Sequence, residues 1–161
     1  MHPSSKIDQA LLLTASRFEG IVDEDGQPYM LHCLRVMLSF TDPTLQIVGL
    51  MHDLIEDTPT TLDELTKLGF GADIVGAIGL LTRTSEINYA DYIVRLKPNE
   101  IARQVKLADL RDNSDVGRAL YRASQPLKDL KQAGRYLVSY QFLEGRLDLE
   151  GYLHLMADLQ P

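Results

Sequence analysis

Along residues 6–18 (KIDQALLLTASRF), apolar side chains recur at the three- and four-residue spacing of one helical face. The same period runs through nearly the whole chain. It predicts further helices over about 30–40 (MLHCLRVMLSF), over TLQIVGLMHDLI at 44–55, over 72–82 (ADIVGAIGLLT) and over about 89–96. A long segment, EIARQVKLADLRDNSDV, follows Lys97-Pro98-Asn99, and helices at about 125–144 and 149–158 complete the pattern. Breaks fall where turn chemistry is dense: GIVDEDGQPY at 20–29, Thr41-Asp42-Pro43, Thr58-Pro59 and Gly69-Phe70-Gly71. Thr60 or Thr61, with Glu64 behind it, reads as a capping box that opens another helix. Alternating β-branched runs are missing. The expected fold is all-α, a bundle of about seven to nine helices in one domain spanning 1–161.

The third helical segment departs from ordinary patterning. Leu45, Ile47, Val48, Leu50, Met51, Leu54 and Ile55 make it apolar nearly all round, which suits a helix in the middle of a bundle. His52 and Asp53 interrupt that surface, and Glu56 and Asp57 follow. Three carboxylates then crowd the end of a helix whose dipole is already negative there, an arrangement that favours a bound cation. A core histidine hydrogen-bonded to a carbonyl, with solvated acids beside it, is the plainer alternative.

Two other segments place polar groups at interior positions. In the long segment the apolar stripe is Ile101, Val105, Asp109, Val116 and Leu120, with Asn113 one turn after Asp109. A buried carboxylate must be paired, hydrogen-bonded or metal-bound, and Lys106, three residues earlier, is the competing partner. His32 falls in line with Val36, one turn after Tyr29. His32, His52, Asp53 and Asp109 thus form a set of two imidazoles and two carboxylates. Such mixed N/O ligation without thiolate suits Mn²⁺, Fe²⁺ or Mg²⁺, and Zn²⁺ less exclusively. Open coordination positions would let bound water act as a nucleophile. Glu56 is placed to hold or deprotonate that water, and Asp57 to assist it or to protonate a leaving group.

Charge narrows the partners. With 16 Lys+Arg against 23 Asp+Glu the net charge is −7, a poor footprint for nucleic acid or an anionic membrane. No apolar run approaches the roughly 20 residues that span a bilayer, and the start of the chain does not read as a secretory leader. A single cysteine, Cys33, excludes an intrachain disulfide and a thiolate zinc cage. The cytoplasm is the expected location.

These motifs together resemble the HD superfamily of metal-dependent phosphohydrolases, and more closely the alarmone hydrolase domain of Rel/Spo proteins and their small stand-alone relatives. The matching stretches are GQPYMLHCLRVM (26–37), LMHDLIEDTPTTLDEL (50–65), LGFGADIVGAIGLLTR (68–83), YADYI (89–93) and VKLADLRDN (105–113), within about 8–142. The resemblance implies an HD-domain bundle in which His32, His52, Asp53 and Asp109 are metal ligands, with Mn²⁺ the usual ion. It implies that Glu56 and Asp57 orient and activate water and that Asn113 contacts a nucleotide. The implied reaction hydrolyses the 3′-pyrophosphate of guanosine tetra- or pentaphosphate. A degradative activity alone is expected, because the hydrolase-like region fills the chain.

One loop departs from that pattern. Where Rel/Spo proteins carry His and then an Arg-Lys pair before GxPY, this chain has Phe18, Asp23 and Glu24. Polyphosphate binding then depends on other cations, with Arg17, Arg35, Lys97, Lys106 and Arg111 as candidates and Arg83 at the expected pocket mouth. A different nucleotide (a nucleoside monophosphate or a dinucleotide) and a non-catalytic metal- or nucleotide-binding regulator remain the alternatives. Tyr89 and Tyr92 fit core packing better than base stacking, and Met37 and Met51 fill the core. The extension at 145–161 lies outside the resemblance; Leu147, Leu149, Leu153, Leu155 and Met156 cover the core or a homodimer partner, and His154 is structural.

Overall fold

Helix ends here are fixed by short polar side chains at the breaks. In the computed structural model, which describes residues 5–115 and 126–159, Ser5 and Asp8 cap each other's backbone at the start of α1 (Lys6–Arg17). Asp42, Thr61, Asn88, Asn99 and Asp148 each accept a first-turn N–H. They open α3 (Pro43–Met51), α5 (Leu62–Lys67), α7 (Tyr89–Leu96), α8 (Glu100–Asn113) and α10 (Leu149–Ala157). The other helices are α2 (Met30–Leu38), α4 (Leu54–Asp57), α6 (Ala72–Leu81) and α9 (Pro126–Leu143). Of the two candidate threonines Thr61 is the cap, and the Glu64 carboxylate meets Arg17 of α1 instead of closing the box. Among the described residues there is no strand, only one antiparallel bridge from Val22 to Pro28 that cinches the 20–29 loop.

α3 occupies the middle, as its apolar girth predicts. Ile47 through Met51 are buried in succession, and α1, α2, α6 and α8 pack around them. Gly49 sets how near α2 can come. A Cβ there would lie 3.3 Å from Val36 Cγ1 and 3.4 Å from the Met37 backbone, so a side chain at this position would press α2 outward by a few tenths of an ångström. α9 packs along α8 and touches α7, and α10 closes over α9 and α7. That last contact is made by Tyr152, which stacks on Phe142 at 4.3 Å between ring centres.

Three expectations are revised. The segment at 44–55 is not one helix: it stops at Met51, turns through His52 and Asp53, and resumes as the single turn α4. The long segment ends at Asn113, because the Ser114 N–H turns back to Leu110 and Asp112; Val116 and Leu120 lie outside the described residues. In the extension, Tyr152 and Met156 are the buried residues, while Leu149, Leu153 and Leu155 are 40–48% exposed and His154 is exposed. No helix among the described residues is long and apolar enough to cross a membrane.

Candidate metal centre

Successive residues of a regular helix point about 100° apart, so an unbroken helix would splay His52 from Asp53. The turn between α3 and α4 lets them converge, with His52 Nε2 2.9 Å from Asp53 Oδ2. Across the gap permitted by Gly49, α2 brings His32 Nε2 to 3.3 Å from His52 Nε2. α8 delivers Asp109, whose Oδ1 lies 3.3 Å from His32 Nε2 and 3.6 Å from His52 Nε2. Asp53 Oδ2 is 3.6 Å from His32 Nε2. His32, His52 and Asp109 therefore converge as a group able to hold an ion, and Asp53 approaches the two imidazoles. His32, His52 and Asp109 are nearly inaccessible to solvent.

The tautomers decide what that point can hold. His52 Nδ1–H donates to the Gly49 carbonyl at 2.8 Å, and His32 Nδ1–H donates to Asp112 Oδ2 at 2.7 Å. With both Nδ1 protons committed outward, each ring turns its Nε2 toward the other and toward two carboxylates, where it carries a proton or, once that proton leaves, offers a lone pair to an ion. Without positive charge in their midst, on a protonated imidazole or on a metal ion, these four groups repel one another. Burial pulls both imidazoles down in pKa, yet their bonds to the surrounding aspartates reverse this, taking His32 up to about 11 and His52 up to about 9. Burial likewise works against charge on Asp53 and Asp109, but His52 beside the first and Lys106 beside the second hold both well below the usual carboxylate range. Ligands about 2.1 Å from one ion lie roughly 3–4 Å from each other. The observed spacings of 2.9–3.6 Å therefore fit a small divalent cation.

Several neighbours steer these groups. Tyr29 OH donates to Asp53 Oδ2 at 2.6 Å, and Phe18 stacks on the Tyr29 ring at 4.9 Å. Lys106 Nζ donates to Asp109 Oδ2 at 2.7 Å, and Asn113 donates to Asp109 Oδ1 at 2.5 Å. Lys106 is thus the half-buried partner of an acid, as the plainer sequence reading had it, while still facing the cavity beside it. Tyr29 and Asp112 were missed as site residues. Asp112 sits one turn past Asp109 in the same motif, a signal that was available; Tyr29, one turn before His32, was another.

A cavity of about 330 Å³ opens beside the cluster, walled by Glu56, Asp57, Arg83, Lys106, Asn113 and Arg135 among others. A second lobe of about 230 Å³ shares Tyr29, Asn113, Gln132 and Tyr136 with it and adds Asp23 and Glu24. Glu56 Oε2 accepts the Arg83 backbone N–H at 3.0 Å, which fixes the carboxylate at the cavity edge. Removal from water, together with the charges of Asp53 and Glu56, raises the pKa of Asp57. In the loop, Asp23 Oδ1 accepts from the Asp25 and Gln27 N–H groups, so that carboxylate also holds its own turn together.

The structure separates the cations named from sequence. Arg35 clasps Asp112 through two bonds behind His32 and is not part of the cavity wall. Arg17 pairs with Glu64, Lys97 lies over the Phe142 ring, and Arg111 bonds Tyr140 OH. Only Lys106 and Arg83 of the earlier candidates line the larger lobe, and Arg135, which sequence reasoning passed over, joins them. Its signal was present: Gln132, Arg135 and Tyr136 share one face of α9 at helical spacing.

Comparison with known proteins gives this geometry a lineage. No protein-family model matches the chain. It is 27% identical over 152 residues to a guanosine-3′,5′-bis(diphosphate) 3′-pyrophosphohydrolase of Spiroplasma citri, covering 91% of this chain and 19% of that one. It is 29% identical over 126 residues to the corresponding enzyme MESH1 of Drosophila melanogaster, covering 70% of this chain and 69% of that one. A GTP pyrophosphokinase of Myxococcus xanthus shares 32% over 95 residues, 54% of this chain and 12% of that one. The chain is thus similar to proteins named as guanosine-3′,5′-bis(diphosphate) 3′-pyrophosphohydrolases and GTP pyrophosphokinases. It spans less than a fifth of the length of the Myxococcus and Spiroplasma relatives. A solved structure described as a metazoan ortholog of SpoT that hydrolyses ppGpp superposes with a TM-score of 0.71 at 20% identity, covering 99% of this chain and 96% of that one. The HD-domain bundle expected from the motifs is therefore the fold, and the His/Asp cluster is a site able to hold a divalent metal.

Proposed function

We propose that this chain is a metal-dependent phosphohydrolase that removes the 3′-pyrophosphate of guanosine tetra- or pentaphosphate, with manganese as its ion. One observation carries the reading: two imidazole Nε2 atoms and two aspartate oxygens converge beside a cavity lined by further acids and cations. His32, His52, Asp53 and Asp109 would hold the ion. When bound, a divalent ion acidifies water and draws charge from a phosphoryl oxygen.

The chain's own groups supply the rest. Asp112 and the Gly49 carbonyl hold the two imidazoles in the tautomer that leaves Nε2 inward. Glu56, tethered by the Arg83 N–H, takes a proton from the attacking water. The water oxygen bonds to the phosphorus next to the ribose, and the bond from that phosphorus to the 3′-oxygen breaks. Asp57, on the same cavity wall, gives a proton to the departing 3′-oxygen. The products are pyrophosphate and GDP or GTP. Asn113, between the two lobes, is placed to meet the ribose.

Asp23 and Glu24 at the second lobe favour a second reading, in which the same chemistry serves another nucleotide. Incubating purified protein and Mn²⁺ with guanosine tetraphosphate and a nucleotide panel tests both. Pyrophosphate and GDP from the tetraphosphate are the expected products. Turnover confined to another nucleotide would move the assignment to the second reading, and a silent panel would remove the enzyme altogether.

A further inference from the structure

From Asp109 the cavity wall can be followed contact by contact. Lys106 pairs with Asp109 at 2.7 Å and lies 5.3 Å from the centre of the Tyr92 ring. Tyr92 and Tyr89 are 6.0 Å apart between ring centres, and the Arg135 guanidinium stands 5.9 Å from that of Tyr89. The three cations that the described residues bring to this lobe are therefore not equivalent. Lys106 is half-buried and already neutralised by an acid. Arg83 is exposed at the mouth, where its backbone serves Glu56. Arg135 is half-buried, faces the cavity from α9, and among the described residues makes no ion pair. An aromatic face steadies a guanidinium without cancelling its charge. A planar fork of donors held this way suits a phosphoryl group, which it can grip with two parallel bonds.

We infer that Arg135 is the specificity-determining residue for a diphosphate: it grips the distal phosphoryl, the one beyond the phosphorus under attack, and so makes this cavity prefer two linked phosphates to one. The inference rests on the proposed phosphohydrolase reading and deepens it. The attacked phosphoryl lies beside the His/Asp cluster and Lys106. Its neighbour extends along the tyrosine wall toward Arg135. On this assignment a single phosphate held at the cluster gains nothing from the guanidinium. Gln132, which donates to Tyr136 OH at 2.6 Å on the same face of α9, helps keep that helix face in register with the cavity.

The test compares the full-length protein with Arg135→Ala and Arg135→Lys, each with manganese in excess. Thermal unfolding is followed with inorganic pyrophosphate or orthophosphate added at equal concentration. Pyrophosphate should raise the Tm of the unsubstituted protein more than orthophosphate does. Arg135→Ala should lose that surplus while keeping the orthophosphate shift, and Arg135→Lys should recover part of it. With guanosine tetraphosphate as substrate, Arg135→Ala should raise KM about tenfold and leave kcat within about threefold, the signature of a binding contact. An unchanged pyrophosphate shift in Arg135→Ala, or equal loss of both shifts, overturns the assignment. Absence of turnover in the unsubstituted protein, with the pyrophosphate surplus intact and Arg135-dependent, would instead sink the phosphohydrolase reading and leave Arg135 as a diphosphate-binding residue.

Discussion

Where α2, α3 and α8 meet, the polar atoms are buried and each has a fixed neighbour: His52 on the Gly49 carbonyl, His32 on Asp112, Asp109 on Lys106 and Asn113. The opposite wall, built from Arg83, α9 and the 20–29 loop, is exposed or half-buried and carries side chains that lean on rings or on their own turns. The first region has one geometry available to it, which is what holding an ion demands. The second can exchange side chains at little cost to folding, which is how one reaction centre is offered to different nucleotides. Asp23 and Glu24 fall wholly in the second region.

Substitutions should therefore hit the two regions unequally. Asp109→Asn removes a ligand charge while keeping the shape that meets Lys106; hydrolysis should fall by about 10⁴-fold, with bound manganese lost on elemental analysis. Glu56→Gln should cost about 10²–10³-fold in kcat with the metal retained, since only the proton acceptor is gone; full activity in this variant would release Glu56 from its role. Asp112→Asn weakens the group that orients His32, so manganese affinity measured by calorimetry should drop about 10–100-fold. Gly49→Ala pushes a methyl against Val36 and Met37 and should destabilise by up to about 2 kcal/mol, whereas Gly76→Ala, which meets open space, should stabilise by about 1 kcal/mol. Opposite signs of the Tm change would confirm that the close approach of α2 to α3, not helix propensity, governs position 49. Charge changes at Glu24 should leave manganese binding untouched and alter only which nucleotide is turned over.

The legibility of the sequence followed the same division. Asp109 and His32 stood out because helical period assigned them to the interior, where a polar group must have a purpose. His52 and Asp53 stood out against an apolar helix. The break between α3 and α4 was not readable from period, because Leu54 and Ile55 continue the apolar pattern through it. Asp112 is 80 residues from the histidine it orients, and no local spacing encodes that bond. Arg35 illustrates the converse: its charge suggested a phosphate contact, and only the packing of α2 on α8 showed it clasping Asp112 instead. Arg135 sits on a helix whose amphipathic pattern was plain, but its place at the cavity depends on how α9 crosses α8 and α7.

Anomalous diffraction from crystals grown with manganese reports most directly on the claim that the other conclusions share. A single peak is expected between the Nε2 atoms of His32 and His52, within about 2.0–2.3 Å of both and of a carboxylate oxygen from Asp53 and Asp109. Density that shows no ion there, or an ion bound at another place with the two imidazoles hydrogen-bonded to each other, would contradict it.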